Sequence, residues 1–94
     1  MIEEEEYQLL NYTEILVFNT LNEMQDQIEE ICKCPQCRLE IASYALNRLR
    51  PMYVTSRKGE IYSKLEEYEV QVKADIVANI TKAIDKVKKN PRHR

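Results

Sequence analysis

The sequence predicts a small all-α domain of three to four helices, the last one long, that forms a symmetric dimer. Apolar residues recur at helical spacing over most of the chain. Breakers are few, with one glycine and three prolines in 94 residues, and they fall between the periodic stretches. From Glu60 to Lys89 there is neither glycine nor proline. Ninety-four residues allow one domain, residues 1–94, which buries about 60–65% of its unfolded-chain surface. Residues 1–7 and 90–94 are expected to be loose ends.

Asn11 followed by Glu14 resembles a capping box and predicts a first helix from there to about Ile31. Val17, Leu21, Met24, Ile28 and Ile31 step by four and three along its inner face, which Ile15, Leu16 and Phe18 widen. A second helix is predicted from Pro35 to about Leu49, with Leu39, Ala42, Leu46 and Leu49 on one stripe and Ile41 and Ala45 beside it. Pro51 ends it. The residue before a proline is biased away from helical dihedrals, so residues 50–55 are read as extended or loop-like. A turn is expected at 56–59, where Gly59 supplies a positive φ.

The last segment, residues 60–89, keeps Ile61, Leu65, Tyr68, Val72, Ile76, Ile80, Ala83 and Val87 in helical register as one helix or two. Lys82, Lys86, Lys88 and Lys89 suit the negative end of its macrodipole. One unbroken helix of about thirty residues would span roughly 45 Å against about 30 Å for the others. Its tail would then outrun a three-helix core, which is the reason for expecting a second copy.

Charge is unevenly spread. Residues 1–30 carry nine acids and no Lys or Arg, whereas the remainder sums to +7, giving a net −2. A sequence pI of about 5.5 argues against direct DNA binding. No apolar run reaches the roughly 18 residues of a membrane span, and the acidic start is unlike a secretory signal. A cytoplasmic protein with reduced thiols is expected.

All three cysteines fall within six residues, as Cys32-Lys33-Cys34-Pro35-Gln36-Cys37. Cys34 and Cys37 have zinc-knuckle spacing, and Pro35 suits the first helical position, so Cys34 is the expected N-cap and Cys37 the third helical residue. Free N–H groups and the macrodipole there stabilise thiolates, the form that binds metal. Cys32 is the third candidate ligand for structural zinc. A closed zinc site wants a fourth, for which His93, Glu29, Glu30, Asp26, water or a second subunit are the options. Reduced thiols or a disulfide are the alternatives.

The stretch Ile41-Ala42-Ser43-Tyr44-Ala45-Leu46-Asn47-Arg48-Leu49-Arg50-Pro51-Met52-Tyr53-Val54-Thr55-Ser56 with Gly59 resembles the signature of the late competence development ComFB family. The Cys-x-Cys-x-x-Cys cluster is similar to that of its cysteine-containing members, and with Asn11-Tyr12-Thr13-Glu14 the likeness covers about residues 8–70. Arg50 departs from the pattern, standing where members usually have the first of two prolines. The resemblance implies a small all-helical dimer, a zinc site in the cysteine-bearing branch and a regulatory role. It also implies a receptor for a cyclic dinucleotide, cyclic di-GMP or cyclic di-AMP, acting through a protein partner such as a transcription factor.

A cyclic dinucleotide needs cations or N–H donors for two phosphates and flat groups for two bases. Asn47, Arg48, Arg50, Tyr53, Thr55, Arg57 and Lys58 supply both kinds within twelve residues. Arginines bind phosphate bidentately or stack on bases, and Tyr53 can stack. The alternative is a zinc-stapled helical adaptor, linked to competence or DNA uptake, that binds protein and no nucleotide. An enzyme is not expected, because the one histidine lies in the tail and no triad or phosphate loop is present. A thiol oxidoreductase built on Cys34 and Cys37 would lack its βαβ setting.

Overall fold

The computed structural model describes residues 6–27, 32–57 and 65–89. In chain order they form strand β1 (Tyr7–Asn11), helix α1 (Tyr12–Gln25), helix α2 (Pro35–Leu46), strand β2 (Tyr53–Arg57) and helix α3 (Glu66–Lys89). The two strands pair antiparallel, from Tyr7 opposite Arg57 to Asn11 opposite Tyr53. The domain is therefore mostly helical but not all-α.

The ribbon escaped the sequence reading because each strand is only five residues long and merges into another signal. Asn11 ends β1 and also caps α1, so the capping pattern hid the strand before it. On β2 the run of Tyr, Val and Thr is strand-favouring, and the expected extended backbone is present there. A lone two-stranded ribbon is marginal in water. Here Ser56 is buried and Val54 packs against the helical core, while Tyr53, Thr55 and Arg57 alternate outward.

Helix α1 starts as expected, with Asn11 Oδ1 accepting from the Thr13 N–H at 3.1 Å. It ends at Gln25, about six residues short of expectation, with Asp26 as its C-cap and residues 26–27 in a turn; residues 28–31 lie outside the described residues. Val17 and Leu21 are fully buried, with Leu16 beside them. Helix α2 stops three residues short of expectation, at Leu46, with Asn47 as its C-cap. Its buried face is Cys37, Ile41, Ala42 and Ala45, whereas Leu39, placed on the core stripe by its spacing, is 60% exposed. The buried stripe is rotated toward Ile41, Ala42 and Ala45, and α2 packs along α3.

Helix α3 is unbroken over its 24 residues, about 36 Å. Ile76, Ile80, Ala83 and Ile84 are buried against α1 and α2. Coverage of Ala83 and Ile84 within the single chain removes the uncovered tail from which a second copy was inferred. Of the turn expected at 56–59, Ser56 and Arg57 instead belong to strand β2, while residues 58–59 and the start of the last segment at 60–64 lie outside the described residues.

Candidate metal centre and anion cleft

The thiol cluster sits at the start of α2. Cys34 is the N-cap, with extended backbone dihedrals (φ −69°, ψ 157°), and Pro35 occupies the first turn, where its missing N–H costs nothing. The Cys37 N–H donates to Cys34 Sγ at 3.4 Å. All three thiols are free, and their Sγ atoms lie within 4.8 Å of one another. Tetrahedral zinc with Zn–S bonds of about 2.3 Å separates its sulfurs by about 3.8 Å, so a small contraction brings these three into a zinc shell. Cys32 is exposed, Cys34 half-buried and Cys37 buried, as in a clamp open on one side.

Two of the thiols have opposite acidities. The Cys37 N–H, followed by the Cys32 thiol, holds Cys34 below its ordinary value. Burial, followed by the neighbouring sulfurs, pushes Cys37 up to about 12. A buried thiol beside two others stays protonated until a cation compensates the charge, which suits a metal more than an exposed nucleophile. Cys32, Cys34 and Cys37 would hold such an ion, and zinc there would staple the approach from α1 to the first turn of α2. No His, Asp or Glu among the described residues joins the cluster, so Asp26 is not a fourth ligand in this arrangement. Glu29, Glu30 and His93 lie outside the described residues. Arg38 Nη1 donates to Gln25 Oε1, tying the end of α1 to the residue after Cys37.

The expected ligand-binding residues divide into two groups. Arg48 and Arg50 line a cleft of about 420 Å³, together with Thr13, Leu49, Tyr68, Val72, Asp75 and Asn79. Its floor is tied together by one hydroxyl. Thr13 Oγ1 donates to the Arg50 carbonyl at 2.9 Å and lies 2.6 Å from the Tyr68 hydroxyl. A threonine has one proton to give, so Tyr68 is the donor in that second bond. Arg48 is held over the Tyr44 ring, 3.6 Å from its centroid, and donates Nη1 to the Tyr44 carbonyl at 3.0 Å.

Tyr53, Thr55 and Arg57 lie instead on the outward face of the ribbon. Arg57 donates to the Tyr7 hydroxyl at 3.1 Å, with its guanidinium 5.5 Å from that ring. Asn47 is exposed at the C-cap of α2, and Lys58 lies outside the described residues. Sequence reasoning missed the far wall of the cleft. Tyr68, Val72, Asp75 and Asn79 follow helical spacing along α3, but only the packing of α3 on α2 brings them opposite residues 48–50. Among the described residues, no helix is long and apolar enough to cross a membrane.

Comparison with known proteins agrees with this architecture. The competence protein ComFB of Bacillus subtilis (strain 168) is 28% identical over 83 residues, covering 88% of this chain and 85% of that protein. A solved structure described as the late competence protein ComFB from Bacillus subtilis superposes with a TM-score of 0.73 at 27% identity, covering 89% of this chain and 94% of that one. A sequence profile described as late competence development protein ComFB matches residues 10–91. With a shared fold along most of both chains and a profile that spans all three helices, this protein belongs to the late competence development ComFB family.

Proposed function

We propose that this chain is a non-catalytic regulator of the late competence class, a cytoplasmic receptor for a cyclic dinucleotide that carries structural zinc on Cys32, Cys34 and Cys37. The observation behind it is the convergence of Arg48 and Arg50 on one cleft. The Arg50 guanidinium has no partner among the described residues, and Arg48 is pre-oriented by Tyr44. A pre-oriented arginine loses less side-chain entropy on binding phosphate, and its planar fork suits phosphate oxygens. The cleft volume falls in the range of about 300–1,000 Å³ typical of small-molecule sites. Thr13, Tyr68 and Asn79 add hydroxyl and amide groups to its lining.

The test is calorimetric titration of the zinc-loaded chain with cyclic di-GMP and with cyclic di-AMP. Binding at micromolar ligand that is lost in Arg48→Ala/Arg50→Ala supports the reading. Absence of heat and of thermal stabilisation with either ligand at about 100 µM overturns it.

A second reading, the zinc-stapled adaptor that binds protein alone, is favoured by a different surface. Leu9 and Tyr53 are 69% and 63% exposed on the ribbon, which pairs with no further strand among the described residues. That face suits a protein partner, including a second copy of this chain. Substituting Leu9→Ser/Tyr53→Ser separates the readings, since the adaptor would lose its partner and the receptor would keep its nucleotide. Light scattering at micromolar concentration tests the pairing of two copies, and a single-chain mass counts against it.

A further inference from the structure

The thiol cluster is open to solvent on one side. Its three sulfurs lie within 4.8 Å of one another, and no His, Asp or Glu among the described residues completes the set. Cys32, Lys33, Pro35 and Gln36 are exposed around it, Cys34 is half-buried, and Cys37 is only 2% exposed. Cys34 and Cys37 are the N-cap and the third residue of α2. Helical geometry sets their Cα atoms about 5–6 Å apart, inside the span of about 4.4–6.8 Å that a disulfide bridges. The Cys34 sulfur is already folded back over that turn, accepting the Cys37 N–H at 3.4 Å.

We infer that Cys34 and Cys37 form an oxidation site, which a hydroperoxide converts to a disulfide that displaces the metal. The loss of metal rests on the reading of the cluster as a zinc site, whereas the disulfide itself does not. The Cys34 sulfur attacks the outer oxygen of the hydroperoxide and the O–O bond breaks. The departing oxygen takes the thiol proton and leaves as an alcohol, or as water from hydrogen peroxide, and Cys34 becomes a sulfenic acid. The Cys37 sulfur then attacks the Cys34 sulfur, forming the S–S bond and breaking the S–O bond, and the hydroxyl departs as water with the Cys37 proton. Two thiols thereby give up two electrons to one hydroperoxide. Burial assigns the order, since Cys37 is shielded from an oxidant in solution yet lies within reach of its neighbour.

The product does not replace the metal clasp. A metal on all three sulfurs ties the approach at Cys32 to the first turn of α2, while the disulfide stays inside that turn and releases Cys32. One remaining thiol is too few for a structural zinc shell.

Hydrogen peroxide added to the full zinc-loaded chain tests this, with zinc release followed by a chromophoric chelator and the cysteines mapped by peptide mass spectrometry. Zinc should leave, Cys34 and Cys37 should become cross-linked, and the free thiols should fall from three to the one at Cys32. A dithiol reductant with added zinc should restore the starting state. Cys32→Ser should form the same disulfide. Cys34→Ser should leave Cys37 a free thiol, oxidised at least about 10-fold more slowly. Unaltered helix content by circular dichroism shows that each variant folds. Zinc-loaded protein that keeps its zinc and its three thiols overturns the proposal. So does a bridge from Cys32 to Cys34, a bridge between chains, or sulfinic acid at Cys34 without a bridge. A Cys34–Cys37 disulfide formed in protein that holds no zinc by elemental analysis supports the oxidation site and overturns the zinc reading alone.

Discussion

The Asn11 side-chain oxygen accepts from the Thr13 N–H and, at 2.9 Å, from the N–H of Met52, 41 residues away. The backbone repeats the link, since the Tyr12 N–H donates to the Met52 carbonyl at 2.6 Å. One residue therefore caps α1, ends β1 and pins the bend that carries Arg50. Asn11→Ala removes the cap and leaves the half-buried Met52 N–H short of an acceptor, at a cost of about 2 kcal/mol, whereas Asn11→Asp keeps the oxygen and should cost less than about 1 kcal/mol. Urea unfolding midpoints measure both, and equal losses would show that the oxygen is not the important atom. The thiols give a second prediction. In metal-free protein near pH 7.5, Cys34 should be alkylated at least about 10-fold faster than Cys37, because its depressed pKa provides thiolate while the raised pKa and burial of Cys37 withhold it. Peptide mass spectrometry reads the order. As the pH rises, Cys34 should reach its full rate before an ordinary thiol would, and Cys37 should respond only under strongly alkaline conditions.

At the scale of elements, the three helices were legible from spacing because their apolar faces follow the helical period and proline punctuates them. Spacing alone did not fix the rotation of α2. Leu39 and Ile41 are equally apolar, and tertiary packing buries Ile41 together with Ala42 and Ala45 while leaving Leu39 exposed. Stability should reflect this. Ile80→Ala, at a fully buried position, should cost about 2–5 kcal/mol, while Leu39→Ala should stay within about 0.5 kcal/mol of wild type. A large loss at Leu39 would mean that its exposed face is covered in solution. The ribbon was harder to read, since β1 is five residues between an acidic run and a helix cap. Its pairing with β2 spans the sequence of two helices, a relation that no local pattern encodes. The thiol cluster was fully legible, because its residues are neighbours in the chain. The cleft was half legible: Arg48 and Arg50 are adjacent to the helix end that positions them, while Asp75 reaches them only through tertiary packing.

At the scale of the whole molecule, an ion pair between Lys73 and Glu23 joins the acidic first third to the basic remainder among the described residues. Lys73 and Glu23 are 3.3 Å apart but well exposed, so their bond contributes less than about 1 kcal/mol and is weakened by salt. Apolar packing of α3 on α1 and α2 must therefore carry most of the stability, and a 94-residue chain has a modest core with which to do it. A metal held by Cys32, Cys34 and Cys37 adds to that core by binding the folded chain in preference to the unfolded one. At free zinc about 100 times the dissociation constant, linkage gives about 2.7 kcal/mol, and in a domain of this size each kcal/mol moves the unfolding midpoint by about 4–8 °C. Removing zinc with a chelator should thus lower the midpoint by about 10–20 °C, reversibly on adding zinc back. Cys34→Ser should show a similarly low midpoint that no longer responds to either treatment. The far-ultraviolet circular dichroism of the stripped chain should keep its α3 signal at low temperature, since Ile76, Ile80, Ala83 and Ile84 are buried without help from the thiols. A midpoint that chelator and zinc leave unmoved, in protein that carries no zinc by elemental analysis, would mean that the three sulfurs are gathered by the N-terminal turn of α2 alone.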